Sequence, residues 1–154
     1  MIITNLIKSP DFSSGWSGSW NGGLFSVERL QGDPTILRFT HVQGVSGSYI
    51  YRCSISPSPI VSTMSLFVRS SEELLKFRIR GDFHRIPADM ENWTHVVTPS
   101  SILGPTYEIN IEQNIPADST LVFEVKMPFA CLPEEWETMQ QLGLDYFDGD
   151  TQPL

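Results

Sequence analysis

Apolar residues recur at every second position through most of the chain. Leu121, Phe123, Val125, Met127 and Phe129 alternate with Val122, Glu124, Lys126 and Pro128. Tyr107, Ile109 and Ile111 alternate with Glu108, Asn110 and Glu112. Leu75, Phe77 and Ile79 alternate with Lys76, Arg78 and Arg80, and Tyr49, Tyr51, Cys53 and Ile55 with Ser48, Ile50, Arg52 and Ser54. A period of two puts one face of a strand toward a core and the other toward water. Further strands are predicted at 2–7, 24–30, 35–42, 62–69 and 93–98. Turn residues punctuate the runs: Asn21-Gly22-Gly23, Gly32-Asp33-Pro34, Gly44 to Gly47, Ser56 to Pro59, Gly81-Asp82, Gly104-Pro105 and Pro116-Ala117-Asp118. About nine short strands at near-regular spacing predict an all-β jelly-roll sandwich of two antiparallel sheets.

A different pattern begins after residue 130. Pro133 suits a first helical position, and Glu134, Glu135 and Glu137 suit the positive end of a helix dipole. Trp136, Met139 and Leu142 form an apolar stripe, and Gly143 is placed to cap the C-terminus. The predicted helix, 133–142, is too short to stand alone and must dock on the sandwich or on another chain. The expected organisation is a jelly roll over 1–130, then a short helix and an extended acidic tail over 131–154.

With 154 residues the chain fits one domain. Charged residues are only 18%, which disfavours a coiled coil or helical bundle. The net charge of -8 argues against a non-specific nucleic-acid binder, and no apolar run is long enough for membrane insertion. Six acids and no Lys or Arg fall in 134–154, so the body is nearly balanced. Cys53 and Cys131 are too few for a disulfide framework or a zinc site and read as buried thiols. The start, Met1-Ile-Ile-Thr4, lacks the pattern of a signal peptide, so synthesis in a cytoplasm without export is expected.

Catalytic motifs are missing from the sequence. His41, His84 and His95 are far apart, and no nucleophile elbow, zinc-protease or phosphate-loop motif occurs, so an enzyme is not expected. Asp145, Asp148 and Asp150 are spaced as in a calcium loop but lack its frame, and an unspecific acidic tail is the competing reading. Aromatics offer a clearer signal. Trp16, Trp20 and Phe25 cluster near the N-terminus, and Ser19, Asn21 and Gly22 place Trp20 in a loop. Sugar C–H faces stack on such rings while polar neighbours hold hydroxyls. The alternation sends Arg52, Arg69, Lys76, Arg78 and Arg80 outward, where one sheet face could gather them. Trp20, Arg52, Arg69 and Arg78 are therefore the candidate carbohydrate contacts.

Several stretches resemble a known family. Asn5-Leu-Ile-Lys-Ser-Pro-Asp-Phe12-Ser-Ser-Gly15-Trp16 is similar to the opening of carbohydrate-binding-module-like jelly rolls. Ser46 to Ser54, Met64 to Arg69, Trp93-Thr94 and Leu121 to Met127 resemble later strands of that family, in order, over roughly residues 5–129. Tyr146-Phe147-Asp148-Gly149-Asp150-Thr151 resembles a motif that follows such jelly rolls in minor tail proteins of siphophages, especially those of actinobacterial hosts. The resemblance implies a virion component at or near the tail tip, a homo-oligomer with a trimer as one candidate state, contacting other phage tail proteins. It also implies host attachment through cell-surface glycan. On that view Trp136, Met139, Leu142, Tyr146 and Phe147 would dock on neighbouring subunits. Relatives hold a structural calcium where this chain has Ser13 and Glu124, which leaves Glu124 as the one metal ligand to weigh. A purely structural tail part without a sugar site and a cellular carbohydrate-binding module are the alternatives.

Overall fold

The structure, a computed structural model, describes residues 2–55, 61–102, 106–144 and 151–153. Its strands are β1 (Ile2–Thr4), β2 (Trp16–Trp20), β3 (Phe25–Arg29), β4 (Ile36–His41), β5 (Gly47–Ser54), β6 (Val61–Ser70), β7 (Leu74–Ile79), β8 (His84–Ile86), β9 (Asp89–Ile102), β10 (Thr106–Ile115), β11 (Val122–Cys131) and β12 (Thr151–Pro153), with helix α1 at Pro133–Gln141. A front sheet runs β2-β5-β10-β7-β8 and a back sheet β3-β4-β11-β6-β9. All named strand pairings are antiparallel. Strands β4 to β11 contribute the orders 5-10-7-8 and 4-11-6-9, which is the double Greek key of a jelly roll. Strand β2 extends one sheet and β3 the other.

Between the sheets lies a single apolar layer. Phe39 and Phe123 stack at 4.4 Å, and Phe25 meets both edge-on. Tyr49, Leu66, Val68, Phe77, Ile79, Tyr107, Ile109 and Val125 are all buried. The buried Tyr107 hydroxyl donates to the Ser65 carbonyl at 2.6 Å, tying the two sheets together. Both cysteines are buried free thiols, as expected, and burial pushes each up to about 12.

The alternation is broken in β11. Sequence pattern places Phe129 on the same face as Phe123 and Val125. Instead Met127 takes a left-handed backbone (φ 53) and the register with β6 shifts between Lys126 and Phe129. This bulge turns Phe129 and Cys131 to the outside of the back sheet, while Ala130 faces the core. Helix α1 covers the pair that was turned out: Met139 is fully buried against them, with Trp136 and Leu144 alongside.

The helix ends match its sequence. The Leu132 N–H donates to Glu135 Oε1 at 3.2 Å. Gly143 is left-handed (φ 72); its N–H reaches the Gln140 carbonyl, and that of Leu144 the Met139 carbonyl. This Schellman turn brings Leu144 back over Met139. Leu142 does not join the stripe; it is 57% exposed. Strand β12 pairs with β1, so part of the tail expected to be extended lies beside the N-terminus.

Candidate functional site

Trp20 stands at the end of edge strand β2, not in a loop. The strand Trp-Ser-Gly-Ser-Trp is held by its pairing with β5, and Trp20 lies opposite Ile50 after a register shift. Period two sends Tyr49 and Tyr51 inward, so Ile50 and Trp20 face out. Asn21 ends the strand in a left-handed conformation (φ 53), and its amide donates to the Ser46 and Ser48 carbonyls at 3.2 Å each. A short 3-10 turn, Gly22–Leu24, then drops Leu24 into the core and leads to β3 in the other sheet. The chain is thus pinned on both sides of Trp20, which is 61% exposed.

An open cleft of about 400 Å³ adjoins the ring, lined by Trp20, Ser48, Tyr49, Ile50, Asn110, Ile111 and Glu112. A second hollow shares Trp20 and Ser48 with it and is lined further by Asn21, Ser46 and Gly47. Asn110 sits in the first cleft opposite Ile50 on one side and Arg78 on the other. It is only 3% exposed, yet no described residue hydrogen-bonds its amide. A buried amide that keeps its donors and acceptor at a cleft is available to a ligand hydroxyl.

Charges complete the front face. Arg78 pairs with Glu112 and lies over the Phe83 ring, 5.0 Å from its centroid. Arg80 reaches Glu108 at 3.3 Å and the Thr106 hydroxyl at 2.6 Å. Arg52 approaches the same Glu108 oxygen only to 3.8 Å and is half exposed. Lys76 stands 5.9 Å from the Phe83 centroid.

Arg69 is elsewhere. The expected gathering of arginines on one face fails there, because β6 belongs to the back sheet. Glu124 of β11 lies between Arg38 and Arg69 in register. Its carboxylate is fully buried: Arg38 Nε donates to Oε2 at 2.7 Å, and Arg69 Nε and Nη2 reach Oε1 at 2.7 and 2.6 Å. Two guanidiniums therefore fill the positions that a cation would take, and the donor set does not suit calcium. No three His, Cys, Asp or Glu side chains converge among the described residues. Trp93 is engaged as well, with Arg69 4.3 Å and Lys126 4.4 Å from its centroid. Trp16 is half-buried against the core, stacked on Tyr51 and donating its indole N–H to the Ser9 carbonyl at 2.9 Å.

Of the sequence candidates, Trp20, Arg52 and Arg78 share the front face, whereas Arg69 does not. The sequence pattern does not single out Asn110, Glu112 or Phe83 as site residues; Asn110 and Glu112 enter it only as outward partners of Tyr107, Ile109 and Ile111. Of the predicted docking residues, Met139 is consumed by the protein's own sheet, Trp136 is partly buried there, and Leu142 is exposed. Tyr146 and Phe147 lie outside the described residues, as do Asp145, Asp148 and Asp150.

No protein-family model and no curated protein matches the chain. Among solved structures it is similar to TmCBM61 in complex with β-1,4-galactotriose. The TM-score is 0.54 and the identity 12%, covering 82% of this chain and 97% of that one. The likeness is one of fold: this chain shares the β-sandwich of a carbohydrate-binding module.

Proposed function

We propose that the chain is a non-catalytic glycan-binding module that serves a bacteriophage minor tail protein in host attachment. The observation that carries the binding reading is the exposed Trp20 ring beside the nearly buried Asn110 amide, which no described residue hydrogen-bonds. A sugar ring stacked on Trp20 would present its hydroxyls to Asn110, Ser48 and Glu112. The fold of a protein solved with a galactotriose supports this use of the sandwich. The tail context rests on the Tyr146–Thr151 motif, and with it the virion location, the tail partners and a homo-oligomer. A shallow site of this kind binds weakly as one copy, and several copies on a virion would multiply its effect.

The test is retention of an artificially multimerised, fluorescent form of the protein on isolated actinobacterial cell walls, with free sugars as competitors. Retention that sugars compete away, and that Trp20→Ala removes, supports the module. Folded multimers that ignore every wall would favour a structural tail part, for which the exposed Leu142 offers a contact.

A further inference from the structure

The front face has a charge that the whole chain does not. The protein carries -8, yet among the described residues strands β5, β10 and β7, with the turn after β7, place Arg52, Lys76, Arg78 and Arg80 on this face against Glu108 and Glu112 of β10. Beyond them Arg85 and Glu73 neutralise each other, and Asp82 is in the exposed loop between β7 and β8. The acids are already shared. Glu112 takes Arg78, and one Glu108 oxygen takes Arg80 and the Thr106 hydroxyl. Arg52 is left half exposed at 3.8 Å from that oxygen, beyond hydrogen-bond reach.

Its position matters as much as its charge. Trp20 lies opposite Ile50, and Arg52 follows two residues later on the same strand and face. Two residues along a strand span about 6.8 Å and adjacent strands lie about 4.8 Å apart, so Arg52 starts roughly 8 Å diagonally from Trp20, within reach of the sugar unit next to the aromatic platform. A guanidinium there matches the planar oxygens of a carboxylate or a phosphodiester better than a lone hydroxyl.

We infer that the ligand of this face is an anionic glycan, with one ring on Trp20 and an acid group on the neighbouring unit held by Arg52. The inference rests on the glycan-binding reading and narrows it. Long-range attraction supports it too, since a locally basic face on an acidic protein orients an anionic polymer toward this side.

The experiment is a binding screen of the full chain, multimerised as above, on immobilised glycans. The set pairs neutral polysaccharides with uronate-containing ones, includes methyl-esterified forms of the latter, and adds glycosylated glycerol-phosphate chains. Binding confined to acidic members, lost on esterification and weakened about tenfold by 0.5 M salt, is expected. Uronate and phosphodiester arms tell the two acid groups apart. Arg52→Gln should lower binding about tenfold, with partial rescue by Arg52→Lys. Arg29→Gln, the same charge change on the back sheet, should leave it unaltered. Binding to neutral glycans that ignores salt and survives Arg52→Gln would overturn the inference while keeping the glycan reading. A folded protein that binds nothing on the array would remove both.

Discussion

The two outer faces of the sandwich come from the same alternation and are put to opposite uses. On the back, Glu124 is sealed under Arg38 and Arg69, Trp93 is engaged by Arg69 and Lys126, and α1 lies over Phe129 and Cys131. There Glu124, Arg38 and Arg69 satisfy one another. On the front, Trp20 has no ring partner among the described residues, the Asn110 amide lacks a hydrogen bond there, and Arg52 is loosely held. A face whose groups are paired internally contributes to stability. A face that leaves an aromatic ring, an amide and a cation open beside a cleft is fitted to bind.

Substitutions should separate the two. Met139→Ala, under the helix, should cost about 3 kcal/mol of unfolding free energy in denaturant titrations, with glycan binding unchanged. Glu124→Gln should cost about 2 kcal/mol, discounted because both guanidiniums reach solvent, again with binding intact. A loss of binding in either would blur the contrast. Trp20→Ala should do the reverse, weakening binding by about 1.5 kcal/mol, or roughly tenfold, without moving the denaturation midpoint. Gly47→Ala sharpens the boundary between the two effects. A Cβ there would stand 2.7 Å from Asn21 Nδ2, at φ +131 where L residues are strained. Displacing the Asn21 clamp should loosen Trp20 and weaken binding by about 1 kcal/mol, with a similar loss of stability.

Much of this architecture is written in the chain. The alternating runs of β5, β10, the second half of β7 and the first half of β11 identify the inward Tyr49, Tyr51, Tyr107, Ile109, Phe77, Ile79, Phe123 and Val125, while Leu75, which the alternation sends inward, is exposed and Leu74 takes its place; Pro133 to Gly143 identify the helix. What escapes sequence reading depends on partners distant in the chain. Strand β2 has a Ser-Gly-Ser centre with no apolar alternation, and it is a strand because β5 supplies its backbone hydrogen bonds. The Met127 bulge runs against the apolar period that continues through it and against the residue's own preference for negative φ. Leu142 matches the helical stripe, but the Gly143 turn gives its place to Leu144. The split of the arginines follows from the jelly-roll order, which sends β6 to one sheet and β5 and β7 to the other. Glu124 looks like a weakened metal ligand until its neighbours are known, and they lie 86 and 55 residues away.

The most direct test is a side-by-side glycan titration of the unaltered protein, Trp20→Ala and Trp93→Ala, each checked for folding. The account predicts equal binding by the unaltered protein and Trp93→Ala, and about a tenfold loss in Trp20→Ala alone. Full binding by Trp20→Ala, or its loss in a folded Trp93→Ala, would contradict the assignment of the front face.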